Sequence, residues 1–145
     1  FPYTTLFRSL PIYTSSYSDM PINHKVFLAQ FDAIKKLAER ESCVIIGRCA
    51  DYALEDNPYA MSIYIKADMD KRVKRIMTKY QLNESKASDM IQKEDKRRAS
   101  YYNYYSSKKW GDAKSYDLCL DSGKLGVEGS IELIKDFIAL REKNF

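Results

Sequence analysis

The sequence predicts an α/β fold in three layers, a parallel sheet with helices on both faces. Two observations predict it. Short apolar runs at 43–46, 61–65 and 116–120 read as strands, and each is followed by a stretch whose apolar residues recur at helical spacing. Three β/α units in succession imply parallel pairing, because a strand returns parallel to its predecessor only through a crossover connection, usually a helix. A chain of 145 residues has room for one ordinary core and no second domain.

Taken in order, the elements begin after an unusual terminus. Phe1 to Ser9 reads FPYTTLFRS, which looks like a translated sequencing-library adapter, so residues 1–9 are set aside as non-native and 10–145 are read as a single partial domain. A Ser/Tyr-rich loop at 13–18 has no periodicity. Pro21 and Asn23 precede an amphipathic helix marked by Val26, Phe27, Ala29, Ile34, Leu37 and Ala38 and ending near Glu41. The run 43–46 follows as a strand covered on both faces, and Gly47 and Arg48 lead into a short helix through Leu54. After the strand at 61–65 come a helix at 70–79 and, capped by Asn83, a long helix at 84–105. The strand at 116–120 and an amphipathic helix at 127–141 close the chain.

Composition narrows the function. A formal charge of +4 permits an anionic substrate but is too small to argue for nucleic acid. No apolar run approaches a membrane span. Cys43, Cys49 and Cys119 lack metal-ligand spacing and His24 is the single histidine, so no protein-held metal is expected and reduced, cytoplasmic thiols are the plain reading.

Candidate site residues come from two places. Ligands of open parallel sheets bind beyond the carboxyl ends of the strands, which points to Gly47, Arg48 and Asp51, to Lys66, Ala67 and Asp68, and to Asp121 and Ser122. Asp68 and Asp121 suit helix capping, the favoured reading for both. Arg48 does not, since a guanidinium at a helix N-terminus opposes the dipole, and an anionic partner explains it better. The second place is the long helix. Its inward stripe of Ala87, Met90, Ile91, Tyr101, Tyr102 and Tyr105 is interrupted by Glu94, Asp95 and Arg98, charge that a purely structural face would not carry.

The segments IIGRCAD at 45–51, IYIKADMDKRVKRIM at 63–77, DKRRA at 95–99 and LDSGKLGVEGSIELI at 120–134 together resemble the cytidylate kinase-like family of P-loop nucleoside monophosphate kinases. YYNYY at 101–105 and KKWGD at 108–112 also fit that branch. The resemblance covers nearly everything after residue 20. It implies ATP-dependent phosphoryl transfer to a nucleoside monophosphate, CMP or dCMP, with ATP and Mg2+ implied by the family alone. Arg48 and Asp51 would then meet the acceptor nucleotide, Asp95 its ribose and Arg98 its phosphate. Arg72 and Arg75 match the basic pair at the start of a lid spanning about 69–112, and Asp121 and Ser122 match the loop against the adenine of ATP. Arg75 and Arg98 are the candidates for stabilising charge on the transferring oxygens.

This chain departs from the family in three places. Cys49 stands where an acidic residue usually follows the arginine, Ile91 stands where a basic residue is expected, and no G-x-x-x-x-G-K-[ST] loop occurs. The fold is therefore expected to lack its first strand and phosphate loop, and this fragment to have no appreciable kinase activity. Two other readings stand beside the kinase: a non-catalytic nucleotide sensor, and a single-stranded RNA platform built from Tyr101, Tyr102, Tyr104, Tyr105 and the neighbouring Lys and Arg residues. Tyrosines that continue a helix's inner stripe argue for packing instead, so nucleic acid is the less favoured partner.

Overall fold

A computed structural model describes residues 20–144, with side chains from residue 22; the expectations for 1–9 and 13–18 lie outside the described residues. The chain divides into two compact units, Phe1–Ala60 and Met61–Phe145.

In the first unit, α1 (Met20–Arg40) and α2 (Ala50–Ala53) pack together around Ile34, Ala50 and Ala53, with Phe31, Ile45 and Leu54 against them. Phe27, Phe31 and Ile34 fall on one face of α1 through i, i+4 and i+7 spacing, and ring contacts of 5.9 Å from Phe27 to Phe31 and 5.8 Å from Phe31 to Tyr52 extend the cluster. The helix includes Pro21, which the first turn tolerates because the missing N–H would have no intrahelical partner there.

The expected strand at 43–46 does not form. Val44 and Ile46 are 88% and 79% exposed and only Ile45 joins the core, so an apolar run that looked covered on both faces is covered on one side only. A strand exists only when a neighbour pairs its backbone, and among the described residues the ladder joins two other segments.

Those segments lie in the second unit. β1 (Ile63–Lys66) and β2 (Leu118–Asp121) pair in parallel, from Ile63 opposite Leu118 to Lys66 opposite Asp121. The fold is thus a mostly helical α/β arrangement with a two-stranded parallel sheet among the described residues, in place of the three-stranded, three-layer sheet expected. Just before the ladder, Asp117 Oδ2 accepts hydrogen bonds from the Ser62 N–H at 2.7 Å and hydroxyl at 2.9 Å and receives Arg141 at 3.3 Å, tying the strand entrances to the far end of the last helix.

Between the strands run α3 (Met69–Tyr80) and α4 (Glu84–Ser106). Val73 of α3 meets Ala87 and Ile91 of α4, with Ile76, Met77 and Leu82 around them. Asn83 caps α4 as expected, its side chain accepting from Lys86 N–H at 2.9 Å. Asp68 occupies the cap position of α3 without a side-chain bond. The last helical stretch, α5 (Ser122–Glu142), is two helices joined across a kink at Gly126 (φ 71, ψ −177), so the helix expected over 127–141 begins directly after the kink and a short helical turn precedes it. The backbone conformation at Gly126 is essentially restricted to glycine.

Candidate functional site

The packing of Val73 on Ala87 and Ile91 decides what happens one residue before Val73 and one turn after Ile91. It brings Arg72 against Asp95. Arg72 Nη1 donates to Asp95 Oδ2 at 2.6 Å and Nη2 to Oδ1 at 2.7 Å, a fork-to-fork pair across 23 residues of sequence. Both groups are half-buried. On the same helix Arg98 approaches Oδ1 from one turn on, at 3.6 Å, with its side chain mostly in solvent. One carboxylate therefore lies between two guanidiniums, and the cluster carries net positive charge. Arg72, expected from the family resemblance in a basic pair at the start of a lid, is paired with Asp95 in the structure.

Tyr64 of β1 borders this cluster. Burial raises its phenol above the ordinary value; Asp95 adds to that shift, while Arg72 and Arg98 oppose it. Its ring stacks on Tyr116 at 4.9 Å and meets the edge of Trp110 at 5.7 Å. Trp110 is further fixed by its backbone N–H, which donates to Asn103 Oδ1 at 2.7 Å. Trp110 thereby anchors the loop after α4. Tyr64 was missed, since an aromatic residue in a strand carries no sequence signal that separates a site neighbour from core.

The other charges sort by what they touch. Arg97 pairs with Glu94 at 2.7 Å along α4. Arg75 is exposed and makes no ion pair with a described residue. Asp121 Oδ1 accepts from Gly123 N–H at 3.0 Å and so caps the start of α5, while the Ser122 hydroxyl donates to the Lys66 carbonyl at 3.1 Å and ties that start to β1. The Lys71 ammonium donates to the Gly123 carbonyl, adding a tie from α3.

In the first unit, Gly47, Arg48 and Cys49 take left-handed backbone conformations in succession (φ 69, 60 and 53). Such values are costly for residues with a Cβ and persist only where the surroundings over-determine them. Here the Ala50 N–H donates to the Gly47 carbonyl at 3.1 Å, and Cys49 is buried. Burial, reinforced by the Asp51 charge, pushes the Cys49 thiol up to about 12, so it stays protonated and acts as an apolar plug. Arg48 is half-buried at the centre of this turn, and Asp51 lies in the first turn of α2.

Among the described residues no group of three or more His, Cys, Asp or Glu side chains is arranged to hold a metal ion. A magnesium ion that arrives on nucleotide phosphates needs no such cage. No helix among the described residues is long and apolar enough to cross a membrane.

Residues 3–124 match the cytidylate kinase-like family. The chain is also similar to an uncharacterized protein from Eubacterium ventriosum known from its crystal structure, at 39% identity and a TM-score of 0.78 over 81% of this chain and 74% of that one. No curated protein matches it.

Proposed function

Because the chain belongs to the cytidylate kinase-like family, we propose that it serves phosphoryl transfer from ATP to a nucleoside monophosphate, with CMP or dCMP as acceptor. The observation that carries this reading is the Asp95 carboxylate between Arg72 and Arg98. A carboxylate accepts hydrogen bonds from sugar hydroxyls, and a guanidinium pairs with phosphate; a nucleotide presents both groups a few ångströms apart. In this reading Arg98 takes the acceptor phosphate and Asp95 the ribose. Arg75, with no described ion-pair partner, joins Arg98 in stabilising charge on the transferring oxygens.

The finer features of the family belong to the same proposal: a three-layer sheet of the nucleoside monophosphate kinase type, a lid at about 69–112 that includes Arg72, and an adenine contact at Asp121 and Ser122. The last would use backbone and the outer edges of side chains already tied into the start of α5. Magnesium would come with the phosphates and neutralise part of their charge. A cytoplasmic location is consistent with such substrates.

A non-catalytic nucleotide sensor would keep the same acceptor residues. The RNA platform is less well supported, because Tyr102 is buried and Tyr101 and Tyr105 are half-buried in ring contact at 4.8 Å, leaving Tyr104 as the exposed member. Calorimetric titration with CMP, dCMP, UMP, AMP and oligo-ribonucleotides tests the proposal. Saturable binding of a pyrimidine monophosphate supports it; binding only of oligonucleotides, weakening steeply with salt, overturns it.

A further inference from the structure

We infer that Arg72 is a positioning residue for the acceptor sugar: its forked pairing sets the Asp95 carboxylate to recognise a ribose hydroxyl, so that this pair makes the site selective for ribonucleotides over deoxyribonucleotides. The inference rests on the acceptor site proposed above and changes the part Arg72 plays in it, from a phosphate clamp of the lid to a brace.

The geometry argues for the brace. Both terminal nitrogens of Arg72 are committed to Asp95, at 2.6 and 2.7 Å, so the end-on face of its guanidinium serves the carboxylate and only the Nε side and the outer N–H groups remain for any other partner. Each carboxylate oxygen carries two acceptor positions, and a bidentate arginine uses one on each. The remaining positions keep a fixed direction only while the fork holds the carboxylate plane. Asp95 itself stands on α4, but the brace comes from α3, whose placement is set by Val73 against Ala87 and Ile91. The carboxylate is thus fixed from two elements at once, which a solvated i, i+3 contact such as Arg98 at 3.6 Å does not achieve. Tyr64 is a rigid neighbour of this cluster: its phenol feels the Asp95 charge, and its ring is held by Tyr116 and Trp110. A site that positions a charged acceptor for a hydroxyl group rejects an analogue that lacks the hydroxyl, because the acceptor is then left desolvated and unmatched.

The test is calorimetric affinity for CMP and dCMP in the wild type, Arg72→Lys and Arg72→Met. The wild type is expected to favour CMP by about tenfold or more. Arg72→Lys keeps the charge but replaces the fork with a single rotating ammonium. It should weaken CMP binding about tenfold, leave dCMP within about twofold, and so bring the ratio near one. A general loss of structure would weaken both nucleotides together, and Trp110 fluorescence checks independently that the loop beside Tyr64 is intact. A ratio unchanged in Arg72→Lys and Arg72→Met overturns the brace and leaves the acceptor site standing. Equal loss for CMP and dCMP returns Arg72 to the phosphate. A wild type that binds neither nucleotide overturns both this inference and the acceptor site it rests on.

Discussion

Gly111 lies close against Tyr64: a Cβ on Gly111 would stand 3.0 Å from the Tyr64 hydroxyl oxygen, tight enough that the tyrosine must shift, and Gly111 has φ +78, which a side chain strains. Glycine suits the loop after α4 on both counts. Gly111→Ala is expected to cost about 1–3 kcal/mol, from the left-handed backbone and from displacement of the tyrosine. Trp110, the single tryptophan of the chain and next in sequence to Gly111, reports the change directly. Urea denaturation followed by its fluorescence should show a lower midpoint with an unchanged slope. A midpoint equal to the wild type would mean that the loop does not rest on Tyr64.

Acid should loosen the entrance to the strand pair. Burial pushes the Asp117 carboxyl upward, but hydrogen bonds from the Ser62 N–H and hydroxyl, together with Arg141, outweigh it and hold the carboxyl below its ordinary value of 3.8. A carboxyl lowered in the folded state contributes stability that is present above the unfolded value and is lost as pH falls through the folded one. The stability gap between the wild type and Asp117→Asn should therefore be widest above about pH 5 and narrow progressively below about pH 4. Because the side chain is 40% exposed, solvent screening keeps the effect small. Denaturation midpoints at pH 7, 5 and 3 measure it, and a constant gap across that range would remove Asp117 from the acid response.

The two helix starts in the second unit give a paired prediction. Asn83 accepts from Lys86 N–H at 2.9 Å, whereas Asp68 occupies the equivalent position of α3 with no side-chain bond. Asn83→Ala should destabilise the protein by about 1 kcal/mol, and Asp68→Asn by less than about 0.5 kcal/mol. Equal costs at both positions, by chemical denaturation, would show that the bond seen at Asn83 adds nothing.

These contrasts also show what was legible from residue order. The long helix, its cap and its charged interruption could be read because all three depend on neighbours within four residues. The run at 43–46 was misread because a short apolar stretch bounded by turn residues does not reveal whether another strand will pair with it, and here Val44 and Ile46 face solvent. The helix over 127–141 was legible because its apolar spacing begins just past the break at Gly126, whereas the short turn before it is held by side-chain bonds of Asp121 and Ser122 and carries no periodicity of its own. The Arg72–Asp95 pair lay beyond local reading altogether. Both residues were candidates, but for different ligands, and only the packing of α3 on α4 reveals that each is the other's partner.

Arg98 gives the last prediction, since it differs from Arg72 in what its loss should do. Its guanidinium is 56% exposed and its contact with Asp95 is 3.6 Å, too long for a strong hydrogen bond, so removing it leaves the half-buried pair intact. Stability should change by less than about 0.5 kcal/mol in Arg98→Ala. Ligand affinity should change far more if this side chain meets the acceptor phosphate, because a charge-assisted contact to phosphate is worth about 1.5–3 kcal/mol, a loss of about tenfold or more for CMP and dCMP alike. The sugar should not matter to this variant. Uniform weakening at Arg98 set against sugar-dependent weakening at Arg72 would separate a phosphate ligand from a brace within one cluster. An Arg98→Ala protein that binds both nucleotides as tightly as the wild type would move the phosphate to another cation, with Arg75 the next to replace.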